Sequence, residues 1–182
     1  MLIREIFQKI NFCINVDRIG PDIPFTHWRL HYQSTMKTLC KSKFSYFGEG
    51  SDFRAGAYAI CCSQISIKKN VIIRPQTVLM ADEYAEIIIE NDVMIGMGVH
   101  FYVNNHKFDN PREPIVNQGY YPSEDILVKN GAWIGANAII LPGVVIGQNV
   151  VIGAGSVVTK SIPDFSVAVG NPAQVIRRIS ES

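Results

Sequence analysis

His106 closes the segment Phe101-Tyr102-Val103-Asn104-Asn105-His106 and stands directly before the longest irregular stretch of the chain, residues 107–127. An imidazole can take a proton near neutral pH, and a positioned general base speeds a reaction by roughly 10²- to 10⁴-fold. A surface histidine at a turn is the plain alternative. Its place beside the one long insertion favours the catalytic role, because long loops in a regular scaffold usually carry function. That insertion holds Lys107, Asp109, Asn110, Arg112, Glu113, Tyr120 and Tyr121, a mixture able to hydrogen-bond to and stack on a sugar.

The other candidate ligands and nucleophiles point elsewhere. His100 falls on an outward position, facing a neighbouring subunit. His27 and His31 lie four apart, a spacing a metal could use, but no third ligand accompanies them. Cys13, Cys40, Cys61 and Cys62 form no CxxC pair, so the expectation is reduced, mostly buried thiols and no metal requirement.

The elements that must position His106 are set by a repeat with a period of six. Aliphatic residues fall at Ile134, Ile140, Ile146, Ile152 and Val158, with Ala138, Val144, Val150, Ser156 and Ile162 four places after each. Earlier blocks continue it at Phe47, Phe53 and Ala59, at Ile67, Ile73 and Leu79, and at Ile89, Ile95 and Phe101. A sandwich would show period-two alternation instead. Three hexapeptides make one triangular coil, so the reading is an all-β, left-handed parallel β-helix of about five coils, beginning near Phe47, Ile67, Ile89, Val128 and Ile146. Register slips at CCSQ, at DEYAE and at the long loop mark insertions.

A solenoid leaves its ends open and needs caps. Trp28, Tyr32, Met36 and Cys40 recur every four residues, which predicts one helix over Thr26 to Lys43 with Thr26 as N-cap. The expected organisation is a capping segment over 1–45, the β-helix over 46–163 with its inserted loop, and a short tail or helix over 164–182. Outward Val145, Val151 and Val157 suit burial between identical subunits, hence a homotrimer.

Composition narrows the class. At 182 residues and 47% apolar content, one domain can bury a continuous core, and 17 basic against 16 acidic residues leave no charge run that would suggest nucleic acid. The N-terminal stretch is apolar but broken by Arg4, Glu5, Lys9, Asp17 and Arg18, so the expectation is a cytoplasmic protein without a transmembrane segment.

The motifs IGMGVHFYVNNH, GAWIGANAIILPGVVIG, NVVIGAGSVVTKSIP and VGNPAQVIRRI cover Ile89 to Arg178 with interruptions. This stretch resembles the hexapeptide-repeat acetyltransferases, especially galactoside and maltose O-acetyltransferases and the sugar O-acetyltransferases of surface-polysaccharide pathways. The resemblance implies acetyl-CoA as co-substrate, a sugar or glycan-precursor acceptor, active sites between subunits of a trimer, and His106 as the base. It places the pantetheine arm near Ala136 and Ala154 and the nucleotide end near Thr159, Lys160 and Arg177, with Arg178 as a further cation. Where galactoside-type members carry a serine this chain has Ala136, which shifts the expected oxyanion donors to backbone amides around Gly135 and Ala136. Gln174 stands where the family has a second phosphate arginine. Asp82, Glu83 and Asn105 are the acceptor-binding candidates, Glu83 being the nearest match to the family's aspartate. These departures point to a nucleotide-linked or lipid-linked sugar as acceptor. N-acetylation of an amino sugar is the second enzyme reading, and a non-catalytic β-helix scaffold the third; a zinc hydratase would need a third converging histidine.

Overall fold

The computed structural model describes residues 2–180; positions 1, 181 and 182, at the outer ends of the expected cap and tail, lie outside the described residues. Each hexapeptide forms a strand of two or three residues followed by a corner turn, and three such strands complete one coil. The result is a left-handed parallel β-helix of five complete coils. The first face stacks strands ending at Phe47, Ile67, Ile89, Val128 and Ile146, the residues expected to open the coils. The second stacks those ending at Phe53, Ile73, Ile95, Ile134 and Ile152, and the third those around Ala59, Leu79, Phe101, Ile140 and Val158.

Strands this short cannot stand alone; each is held by ladder bonds to the coils above and below and by its inward side chain. The fifteen residues just named are all buried and form one continuous core. Corners require close approach: a Cβ on Gly135 would lie 2.5 Å from the Ala154 amide nitrogen, so the coils could not stack at their normal spacing with any side chain there.

The three insertions all emerge at one prism edge, between the third face of one coil and the first face of the next. CCSQ becomes a turn after coil 1, DEYAE a turn after coil 2, and the long excursion follows coil 3. That excursion ends earlier than expected, because Ile126 is fully buried and pairs with Ile87, so Ile126 and Leu127 belong to the ladder.

The cap differs from the single helix expected. Three helices form: α1 (Leu2–Asn15), α2 (Pro24–Arg29) and α3 (Gln33–Lys43). Thr26 is not an N-cap; it lies inside α2, where its hydroxyl donates to the Ile23 carbonyl at 3.1 Å, and Pro24 occupies the first turn. The break between α2 and α3 splits the four-residue stripe, burying Met36 and Cys40 over coil 1 and leaving Trp28 and Tyr32 exposed. Beyond coil 5 the tail is no helix: Ser166–Gly170 extends the second face and Ala173–Arg178 pairs back on it antiparallel. Val145, Val151 and Val157 fall on the first, second and third faces respectively, so they do not make one apolar side. The second face instead carries a column of Ile72, Met94, Trp133 and Val151, of which Met94 and Trp133 are about half exposed.

Candidate active site

His106 sits at the foot of the excursion, where the chain leaves coil 3 and returns. Tyr121 N–H donates to the Asn105 carbonyl and Lys107 N–H to the Gly119 carbonyl, both at 2.9 Å, closing the loop's base as a short antiparallel pair. The His106 ring stacks on Tyr120, with centroids 4.2 Å apart and planes 30° from parallel. Stacking places this imidazole; among the described residues no side-chain hydrogen bond holds it. The loop beyond is laced internally, Gln118 donating to the Asn110 and Glu113 carbonyls and Tyr121 donating its hydroxyl to Asp109 at 2.6 Å.

Asp82 ties two of the insertions together. Its Oδ1 accepts from the backbone N–H of Tyr84 and Ala85 at 2.9 and 3.0 Å, and its Oδ2 accepts from Asn104 Nδ2 at 2.6 Å and from the Ser123 hydroxyl. Burial pushes this carboxyl upward, but the bonds from Ser123, Tyr84, Asn104 and Ala85 outweigh it and hold the pKa below the usual carboxylate value. The knot floors a pocket of about 580 Å³ bounded by Tyr84, Lys107, Tyr120, Tyr121 and Pro122.

On the far side of the Tyr121–Pro122 ridge lies a second depression, lined by Asn105, Glu124, Leu141, Pro142 and Thr159. The expected acceptor residues are therefore divided: Asp82 belongs to the first pocket, Asn105 to the second, and Glu83 is exposed and lines neither. Sequence reasoning missed Asn104 and Ser123; their bonds to Asp82 span 22 and 41 residues, and no local spacing announces them.

The expected CoA-binding residues occupy three places. Thr159 and Lys160 follow the third face of coil 5, on the same edge as His106. Gly135, Ala136 and Ala154 stack on the edge between the second and third faces, Gly155 N–H donating to the Ala136 carbonyl at 2.8 Å. Arg177 lies opposite Val167 on the second face, and Arg178 donates to the Asp164 carbonyl. Among the described residues Lys160 and Arg177 make no ion pair. Gly135 is not an oxyanion donor, because its N–H is bound to the Ile152 carbonyl at 2.8 Å; the Ala136 N–H makes no such bond. Ala136 and His106 lie at opposite edges of the third face, and the five steps from Ala136 to Leu141 across that face span about 16 Å at the usual strand rise of about 3.3 Å.

His100 faces outward, half-buried, with Nδ1 at 2.7 Å from the Tyr102 hydroxyl. His27 and His31 meet edge to face at 5.1 Å between centroids. Among the described residues no group of three histidine, cysteine or carboxylate side chains is placed to hold a metal. Cys40 and Cys62 are buried, which pushes both thiols far above their ordinary value.

A family described as "Bacterial transferase hexapeptide (six repeats)" matches residues 125–160. The galactoside O-acetyltransferase of Escherichia coli K12 is 34% identical over 157 residues, covering 86% of this chain and 75% of that protein. A Saccharomyces cerevisiae protein provisionally named as an acetyltransferase is 38% identical over 97 residues, 53% of this chain; the match spans 48%, about half, of its length. A galactoside acetyltransferase solved in complex with coenzyme A superposes with a TM-score of 0.72 at 31% identity, covering 85% of this chain and 77% of that one.

Proposed function

Because the chain belongs to the hexapeptide-repeat acetyltransferases, we propose that it transfers an acetyl group from acetyl-CoA to a hydroxyl of a sugar or glycan precursor, with His106 as general base. The observation that supports this reading is that His106, which lines neither depression itself, stacks on Tyr120 of the first pocket and stands between Lys107 of that pocket and Asn105 of the second. An acceptor in the first pocket and a thioester arriving over the ridge would meet beside the imidazole. Acetyl-CoA supplies the activated acyl carbon and a leaving thiolate. His106 takes the proton as the acceptor oxygen bonds to that carbon, and returns it to the sulfur as the C–S bond breaks; no acyl-enzyme is needed.

The Ala136 N–H is the donor left for the developing oxyanion, and preorganised donors of this kind contribute a few kcal/mol. It lies too far from His106 in the same protomer, which supports an active site shared between subunits of a homotrimer. Lys160 and Arg177 suit the nucleotide phosphates as charge-assisted donors. Asp82 acts through Asn104 and Ser123, shaping the acceptor pocket and leaving recognition to the tyrosines and Lys107.

The test is His106→Ala, assayed by CoA release across a panel of hydroxyl and amino sugars. The expected result is a 10²- to 10⁴-fold loss of kcat with the oligomer and acetyl-CoA affinity unchanged. Retained turnover would remove His106 from the reaction, and a chain active only on amino sugars would make the reaction an N-acetylation.

A further inference from the structure

α1 buries none of its side chains, yet Leu2, Ile3, Ile6, Phe7, Ile10, Cys13 and Ile14 share one face at 100° per residue, opposite Arg4, Gln8, Asn11 and Asn15. Phe12 alone departs from this division. Leu2, Ile3 and Phe7 are 69%, 72% and 66% exposed. The apolar face continues past α1: one shallow depression joins Ile10, Cys13 and Ile14 to Pro24 and Phe25, and a second joins Pro24 and Phe25 to Trp28. Soluble proteins rarely leave so continuous a patch without a partner.

Charge identifies the partner's chemistry. Residues 1–43 hold seven basic side chains, from Arg4 to Lys43, against Glu5, Asp17 and Asp22, a net of +4; the rest of the chain, with ten basic and thirteen acidic residues, carries −3. Lys9 and Arg29 edge the two depressions, and Arg4 and Lys9 make no ion pair among the described residues. A two-fold contact through α1 and α2 would set Arg4, Lys9 and Arg29, opposed in these helices only by Glu5, against the same set. An apolar helix face with flanking cations and exposed aromatics instead fits the interface of an anionic bilayer, with the apolar side at the acyl boundary and Lys and Arg among the headgroups. At 14 residues α1 is too short to span the hydrocarbon core, and no described helix is long and apolar enough to do so.

We propose that α1, with Phe25 and Trp28 of α2, docks this protein on the surface of a membrane bearing anionic lipids. Binding of this kind adds apolar burial to charge attraction, so each contribution can be removed alone. On the acceptor function proposed above, the docked cap would hold the pocket, built where the chain leaves coils 2 and 3, near glycan carried on lipid.

The experiment is flotation of the full chain with vesicles of phosphatidylcholine alone or with roughly one third phosphatidylglycerol, which gives the surface a negative potential. The wild type should float with the anionic vesicles at about 0.1 M salt and be released at about 0.5 M, where screening shortens the reach of charge. The paired variants Ile3→Asp with Phe7→Asp, and Arg4→Glu with Lys9→Glu, should each bind about 10-fold less while melting like the wild type, since α1 contributes no buried side chain. Failure of the wild type to float, equal flotation of the Ile3→Asp/Phe7→Asp chain, or a fall in that variant's oligomeric mass, which would make the face a subunit contact, would each overturn the proposal. Flotation is read without turnover, so a chain inactive on sugars that still floats sustains docking and sinks only the acceptor reading.

Discussion

Among the described residues only an aromatic ring holds the His106 imidazole, and this makes Tyr120 a sensitive position. The stack fixes the ring plane against Tyr120, a pocket-lining residue, and neither ring nitrogen is hydrogen-bonded among the described residues. Tyr120→Ala should lower kcat about 10-fold or more with less effect on acetyl-CoA KM, and Tyr120→Phe should keep most activity, because stacking needs the ring and not the hydroxyl. Steady-state kinetics of the two variants distinguishes these. At Asp82, hydrogen bonding keeps the folded carboxyl below its unfolded pKa of about 3.9. Its stabilising contribution is therefore full above about pH 4 and lost as pH falls through the lower folded value. Asp82→Asn should lower stability at pH 7 by about 1 kcal/mol, small because the knot is solvent-screened, and this difference from wild type should shrink toward pH 3 in thermal melts.

At the scale of elements, corner geometry limits what a hexapeptide may contain. Gly135→Ala forces a Cβ against the Ala154 backbone rather than a movable side chain, so the coils must part locally. A loss of roughly 1–3 kcal/mol is expected, readable as a lower denaturant midpoint with an unchanged m-value. The solenoid was legible in the sequence because one inward residue per six is a local signal repeated fifteen times. Counting faces would also have shown that the three register slips share an edge, for each follows a third-face residue: Ala59, Leu79 and Phe101. What that edge becomes was not legible, since Asp82, Asn104 and Ser123 meet through contacts whose sequence separation carries no periodicity. The cap departs from its sequence spacing for a related reason. Four-residue spacing runs unbroken through Trp28, Tyr32, Met36 and Cys40, but packing on coil 1 claims only the last two, and Pro24 starts a separate turn. In α1 the interrupting charges that argued against a membrane span are the same residues that make the helix amphipathic.

The whole molecule poses a sharper question than any residue, because the expected catalytic parts are split between two edges of the prism. His106, Asn105, Thr159 and Lys160 share one edge; Ala136 and Ala154 occupy the next. If adjacent protomers complete one another's sites, a closed cyclic trimer brings the His106 edge of one subunit to the Ala136 edge of its neighbour, a heterologous contact repeated three times. Two inactive variants should then rescue each other. His106→Ala lacks the base, and Ala136→Trp blocks the groove from the other edge. After co-refolding in equal amounts, a site is intact only where a subunit carrying His106 meets one carrying Ala136, so activity should return to about one quarter of the wild-type value in random trimers. Were both edges to serve one site within a single protomer, every mixed trimer would be as dead as its parents, and the CoA-release assay would read background at every mixing ratio.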